Sequence, residues 1–230
     1  MGEKRPVRFT DLFRYYRGLP HQIAALEMLG EAIPASLMHR DNEWFKVWSQ
    51  DGKQADYVTA AQLRAMGANT VTDQQVRDLN DCLRMFNITS PARIRHFLAQ
   101  TMHESGLLRW MTELASGGAY EGRSDLGNTQ TGDGRRFKGA GALQLTGRYN
   151  YQLFADYMGD ERVMEGADYV SVRYPFTSAG FWWQQNGINA FVDSGASCRQ
   201  ISARVNGRDP ANGLAERERL FAAATNIIRA

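Results

Sequence analysis

A mainly α protein, interrupted by one irregular glycine-rich segment, is what this sequence predicts. Three observations predict it. Apolar residues recur at helical spacing through most of the second half of the chain. Ser90-Pro91 places an N-cap residue ahead of a proline at the first helical position. Nine of the 22 glycines fall within residues 117–147, too dense for a helix.

Taken in order, residues 8–30 read as two helices. Phe9, Leu12, Phe13 and Tyr16 form one stripe, Gly18 and Pro20 break it, and Ile23, Leu26 and Leu29 form the next. Residues 36–58 hold Trp44, Phe45, Trp48 and Tyr57 around an Asp51-Gly52 turn signal. A short hairpin fits there, and so does a short helix, because Trp44 and Trp48 are i, i+4. A boundary is expected near residues 67–72, giving an accessory region over 1–70 and a larger domain over 71–230. In the larger domain, Gln75–Phe86 is one helix, and the helix opened by Ser90-Pro91 runs to about Glu104 or Ser105, where Gly106 permits an end. Residues 117–147 are a long loop or a few short strands beside a cleft. Helical patterns return at Tyr149–Tyr157, Thr177–Gln185, Ser197–Val205 and Leu214–Ile228. Trp182-Trp183, between Phe181 and Ala179, reads as core packing rather than a sugar platform.

Composition narrows the function. With 43% hydrophobic residues in 230, the chain can bury a sizeable core. A net charge of +2, without a dense Lys/Arg run, argues against nucleic-acid binding. No apolar run approaches a membrane span, so no membrane insertion is expected. Met1-Gly2-Glu3-Lys4-Arg5-Pro6 carries charge but no apolar stretch after it, so no secretory signal is read. Cys82 and Cys198 are expected to be reduced thiols. The four histidines have no ligand spacing, so neither a metal nor any other cofactor is expected.

The chemistry points to carboxylates. Phe97, Thr101, Glu104 and Leu108 recur at helical spacing, which puts Glu104 on a core-facing stripe. An unpartnered carboxyl in such a place holds its proton near neutral pH, as a general acid must. The competing reading is a buried ion pair with an arginine. Glu113 follows Trp110 and Met111 past the helix end, where a loop can turn it across a cleft to act as a base. Its bland reading is a solvated surface residue. Glu121 and Asp125, next to Arg123, are rival bases. His103 points about 100° around the helix from Glu104 and suits a structural hydrogen bond. Arg217 shares a stripe with Leu220, Phe221, Ala224 and Ile228, so it needs an acidic partner or a cleft.

With these residues assembled, residues 72–230 resemble the catalytic domain of family 19 glycoside hydrolases, which include chitinases and phage endolysins. Several motifs agree in order: Phe97-x-Ala99-Gln100-x-x-His103-Glu104-Ser105, Tyr120-Glu121-Gly122-Arg123-x-x-Leu126-Gly127-Asn128, Gly132-Asp133-Gly134, Gln144-Leu145-Thr146-Gly147-Arg148-x-Asn150-Tyr151 and Val205-Asn206-Gly207. The glycine-rich middle is closest to the bacterial and phage branch. The resemblance implies a mainly α, lysozyme-like α+β fold, helical and bilobed, with a glycine-rich loop or small β wing beside the cleft. It implies inverting hydrolysis of β-1,4 bonds between N-acetylated amino sugars. Glu104 matches the general acid and Glu113 the general base. Thr146 matches a residue that helps hold the attacking water. Gln144, Tyr149 and Asn150 match substrate-binding positions, and Asn206 and Arg217 match an Asn and an Arg near the site. Glu121 with Arg123 is expected to support the site as an ion pair. One departure stands out: the family usually has Gly-Arg-Gly where this chain has Gly139-Ala140-Gly141, and Arg135, Arg136 or Lys138 are the candidates to replace the missing cation.

The expectation is a monomeric phage-type endolysin acting on peptidoglycan. It would be made in the host cytoplasm and reach the wall once the membrane is permeabilised, causing lysis. The alternatives are a chitinase acting on chitin oligomers, a lytic transglycosylase, and a non-catalytic wall-binding or virion protein.

Overall fold

The computed structural model describes residues 56–229. The stripes read over residues 8–30 and the Trp44/Trp48 segment lie outside the described residues. Ten α-helices are described: α1 (Ala60–Ala65), α2 (Asp73–Met85), α3 (Pro91–Glu104), α4 (Asp133–Arg136), α5 (Arg148–Met158), α6 (Ala167–Arg173), α7 (Thr177–Gln185), α8 (Ile188–Asp193), α9 (Cys198–Asn206) and α10 (Leu214–Ile227). Residues 56–155 and 161–230 form one compact unit. The unit therefore already contains α1, which lies ahead of the 67–72 stretch. Among the described residues no helix is long and apolar enough to cross a membrane.

Local chemistry sets the helix starts. Thr72 caps α2 in a capping box: its hydroxyl accepts from Gln75 N–H at 3.2 Å and Gln75 returns the bond to Thr72 N–H at 2.9 Å. Ser90 caps α3 by accepting from Arg93 N–H, with Pro91 just inside. Thr59 caps α1 and Ser197 caps α9 in capping boxes of the same kind. α6 and α8 have no side-chain cap, and α1, α6 and α8 are only six or seven residues long. Such helices are too short to be stable alone and form because packing favours them.

α3 is the central helix. Ile94, His96, Phe97, Leu98, Ala99, Gln100, Thr101 and Met102 are all buried, covering every side of it. It packs on α8, α9 and α10. Phe97 meets the wholly buried Trp183 edge-on at 5.2 Å, which settles that tryptophan as core; its indole N–H donates to Asn189. Both cysteines are free thiols.

α7 packs against α2 through a glycine. A Cβ at Gly180 would sit 2.2 Å from Phe86 Cδ2 and 2.5 Å from Cys82 Sγ, both on fully buried side chains. Gly180→Ala is therefore expected to destabilise by about 1–3 kcal/mol through overpacking. A thermal melt checks this, and an unchanged Tm would refute the close packing of these helices.

The N-terminus of α7 is held by a buried carboxyl. Asp78 accepts from Phe176 N–H at 2.6 Å, Thr177 N–H at 3.1 Å and the Thr177 hydroxyl at 2.5 Å. Burial outweighs these bonds and pushes Asp78 from 3.8 up to about 6. The folded state then binds more protons than the unfolded chain between about pH 4 and 6. This contribution is fully present below pH 4, is lost as pH rises through 6, and spans about 3 kcal/mol. His96, stacked on Phe221 at 4.3 Å with no partner for its buried Nδ1, acts the other way. Burial lowers it from 6.5 to about 4, so its contribution is lost as pH falls through that window. The stability difference between wild type and Asp78→Asn should thus shift by about 2–3 kcal/mol between pH 4 and 7, in favour of wild type at the acid end. Denaturant melts at both pH values test it, and a pH-independent difference would exclude the titration of Asp78.

The glycine-rich segment forms a loop, not a β wing. Its regular elements are two single 3₁₀ turns, Gly118–Tyr120 and Ser124–Leu126, and the four-residue α4. Backbone pairing there is limited to isolated bridges of Ala140 with Thr112 and with Leu145. Positive φ at Gly117, Gly122, Gly127 and Gly132 turns the chain every five residues, which leaves no extended run for a strand.

Candidate active site

Two groups of residues stand at the two ends of the segment 104–113. The first is built on the last turn of α3. Arg217 of α10 is 1% exposed, and its guanidinium binds three acceptors. Nη2 donates to Glu104 Oε1, Nη1 to Gln100 Oε1 at 2.6 Å and Nε to Asn212 O at 3.0 Å. Gln100 in turn donates to Ser202 of α9, and Asn206 accepts from Asn212 N–H at 2.8 Å. Glu104, Arg217 and Asn206 are thus brought together as expected from the sequence. The reason to expect a proton on Glu104 needs correction: this carboxyl is not unpartnered, because Arg217 lies against it. Its side chain keeps 27% exposure, and no described residue bonds Oε2. His103 is structural, as read: Nδ1 meets Glu216 of α10 at 2.8 Å.

The chain then reverses sharply. Gly106, Leu107 and Leu108 all have positive φ, between 57° and 65°. Two leucines in the left-handed region cost roughly 1 kcal/mol or more each. The Ser105 hydroxyl holds the turn, donating to Thr101 O at 2.6 Å and accepting from Leu108 N–H at 3.0 Å. This reversal carries Glu113 away from the helix axis.

The second group surrounds Glu113. Its Oε2 accepts from Gly139 N–H at 3.0 Å and its Oε1 from the Tyr120 hydroxyl at 3.1 Å. Its backbone N–H donates to Gly139 O at 2.8 Å. Glu113 is therefore half-buried and fixed on two sides, not a solvated surface residue. Burial, with the Glu113 carboxylate beside it, raises the Tyr120 phenol above its ordinary value and keeps it a donor. Gly139 leaves room for both side chains: a Cβ there would lie 2.5 Å from Gln144 Oε1 and 3.2 Å from Glu113 Oε2, so the two would have to shift. Gln144, itself at φ 54°, is thereby placed beside Glu113, with its amide donating to Gly141 O. The Thr146 hydroxyl donates to Gln144 O at 2.8 Å, so its lone pairs remain available. Asn150 donates to Thr146 O, and Tyr149 is 61% exposed.

One sequence expectation is overturned. Glu121 makes no ion pair with Arg123. It accepts from Gly132 N–H at 2.6 Å and Gly134 N–H at 2.9 Å, while Arg123 forks onto the nearer Asp125 at 2.5 and 2.7 Å. Glu121 therefore ties the loop to itself, and Asp125 is occupied as well. Of the cations proposed to replace the missing arginine, Arg135 and Arg136 are exposed. Lys138 is the one beside Glu113, donating to Glu113 O at 2.8 Å and Ala115 O at 3.1 Å. Ala140 is wholly buried in the bridge between Thr112 and Leu145.

The loop is pinned by residues whose sequence motifs carried the resemblance. Arg148 forks onto the buried Asp133 at 2.5 and 2.8 Å and lies over the Phe137 ring, and the Arg148 pair holds the Asp133 carboxyl below its ordinary value. Tyr120, Gln100, Ser202 and Asn212 were not read as site residues. Gln100 carried a usable signal, since it lies one helical turn before Glu104 on the same face. Asn212 acts through its backbone, which no side-chain pattern shows. Among the described residues no cluster of three or more His, Cys, Asp or Glu could hold a metal.

The chain resembles known proteins in both sequence and shape. A glycosyl hydrolase family 19 domain-containing protein from Haemophilus influenzae is 29% identical over 111 residues, which are 48% of this chain and 52% of that protein. The chain is thus similar in sequence to a family 19 glycoside hydrolase relative. It aligns with about half the length of that curated relative. Chitinase C from Streptomyces griseus HUT6037 matches the structure with a TM-score of 0.59 at 22% identity, over 77% of this chain and 95% of the chitinase. A mutant of chitinase C matches at 0.58 and 21%, with the same coverage. No family model matches the chain. The mainly helical architecture expected from the sequence is thus the family 19 fold.

Proposed function

We propose that this chain hydrolyses β-1,4 glycosidic bonds of bacterial peptidoglycan by an inverting two-carboxylate mechanism, as a phage-type endolysin. The observation that carries the hydrolase reading is the contrast between the two carboxylates. Glu104 keeps one oxygen on the buried Arg217, and its other oxygen has no hydrogen-bond partner among the described residues on a side chain that is 27% exposed. Glu113 is held by Gly139 N–H and the Tyr120 hydroxyl, with lone pairs to spare on both oxygens. In this scheme Glu104 Oε2 delivers a proton to the leaving oxygen. Glu113 takes a proton from a water that attacks the anomeric carbon from the opposite face. In this scheme the Thr146 hydroxyl and the Gln144 side chain orient that water. Inversion places the two carboxyls about 6.5–9.5 Å apart, leaving room for the water between them.

Chitin is the second reading, favoured by the likeness to chitinase C. Purified protein should be assayed on peptidoglycan and on chitin oligomers, with the products analysed by mass spectrometry. The proposal expects wall lysis and new reducing ends of the α-anomer. Faster cleavage of chitin oligomers without lysis would establish a chitinase, and anhydro-muramyl ends a lytic transglycosylase. Wall binding without any cleavage would leave a non-catalytic wall protein.

A further inference from the structure

A groove of about 650 Å³ opens on the Trp110 side of Glu113. Its walls combine exposed apolar groups with unpaired cations. Trp110 is 48% exposed, Leu114 73% and Val172 70%, and all three line it. The charged residues lining it are Arg109, Lys138 and Glu113. Neither Arg109 nor Lys138 forms an ion pair with any described residue. Arg109 donates through Nε to Gly106 O, leaving the rest of its fork free, and Lys138 uses its ammonium on two carbonyls. The carboxylate of Glu113 is already engaged by Gly139 and Tyr120. The groove therefore offers positive charge beside branched aliphatic surface.

Neutral sugar rings make poor use of that combination. They stack on aromatic faces and accept hydrogen bonds, but they carry no anionic group to pair with two cations and no branched aliphatic group to cover Leu114 and Val172. A short peptide with aliphatic side chains and free carboxylates satisfies all of these groups at once. In peptidoglycan such a peptide hangs from the glycan within reach of the bond that is cut. We infer that this groove binds the acidic stem peptide of the substrate and so selects peptide-bearing glycan over bare glycan. The inference rests on the peptidoglycan reading above. Arg109 pairs with a stem carboxylate, Lys138 adds field, and Trp110, Leu114 and Val172 cover the aliphatic side chains.

The test compares glycan strands carrying stem peptides with the same strands stripped by an amidase. It uses the full-length protein and the surface variants Arg109→Glu and Val172→Asp. Wild type should show kcat/KM about tenfold higher on stem-bearing strands, equivalent to one well-placed charged contact. That ratio should fall towards one in both variants, mostly through KM. Equal rates on both strand types by wild type would overturn the groove assignment while leaving the hydrolase reading intact. If wild type cuts neither, the hydrolase reading fails and the groove is decided by calorimetric titration with a soluble muramyl peptide. Binding weakened tenfold or more by Arg109→Glu would support the site, and no binding at millimolar peptide would overturn it.

Discussion

Glu104→Gln is expected to lower turnover by roughly 10²–10⁴-fold, the usual worth of a positioned general acid. The amide keeps the shape of the side chain and can still accept from Arg217 through its oxygen, so the buried guanidinium retains a hydrogen bond. What is lost is the transferable proton. A circular-dichroism melt alongside the rate separates this loss from misfolding. Glu113→Gln should be comparably severe. An amide nitrogen in place of Oε2 would face Gly139 N–H, and the amide cannot take a proton from water. Glu121→Gln should be milder, because the carboxylate of Glu121 is spent on Gly132 and Gly134 N–H. Its effect should appear in stability before rate. If a stably folded Glu104→Gln protein kept its rate, the proton donor would lie elsewhere. A fatal Glu121→Gln with a benign Glu113→Gln would move the base to the loop.

α3 was legible because the sequence carried both a stripe and a cap, and α7 was legible from its apolar run without a capping residue of its own. α3 begins at Pro91 and ends at Glu104, within a residue of the expectation from Ser90-Pro91 and Gly106, and α7 matches Thr177–Gln185 at both ends. In these elements local preference and tertiary packing agree. α1, α6 and α8 were missed because six or seven residues leave too little periodicity to register. The site was legible as residue types but not as partnerships. Arg217 on an apolar stripe announced its need for an acid, and Glu104 supplied it. Which loop groups Glu113 and Glu121 would bind was decided by left-handed turns at Leu107, Leu108 and the spaced glycines. Leucine carries no signal for such a turn. The Glu121–Arg123 expectation failed for a related reason. Proximity in sequence favoured it, but Asp125 is equally near to Arg123, and the backbone N–H groups of the folded loop claimed Glu121.

Arg217→Met should be the most destabilising single change among the site residues. The guanidinium is fully buried, and its removal leaves Gln100 Oε1, Asn212 O and the Glu104 carboxylate without their donor at once. Breaking a buried ion pair by deleting one partner costs about 3–5 kcal/mol. For a domain of this size that is a fall in Tm of about 6–20 °C. Methionine fills similar space, so little of the loss comes from a cavity. Arg217→Lys should recover only part of it, since one ammonium cannot serve three acceptors arranged around a planar fork. The decisive measurement is the double variant Arg217→Met/Glu104→Gln. Removing the orphaned charge should make the pair of changes cost less than their sum, by about 1–3 kcal/mol. Strict additivity would mean that Arg217 stabilises α10 and the Asn206–Asn212 turn independently of Glu104. The carboxyl would then owe its position to α3 alone. A shortfall shows that the same buried cation joins the last helix to the proposed acid. Strain or truncation at the end of α10 would then reach the reacting proton through one side chain.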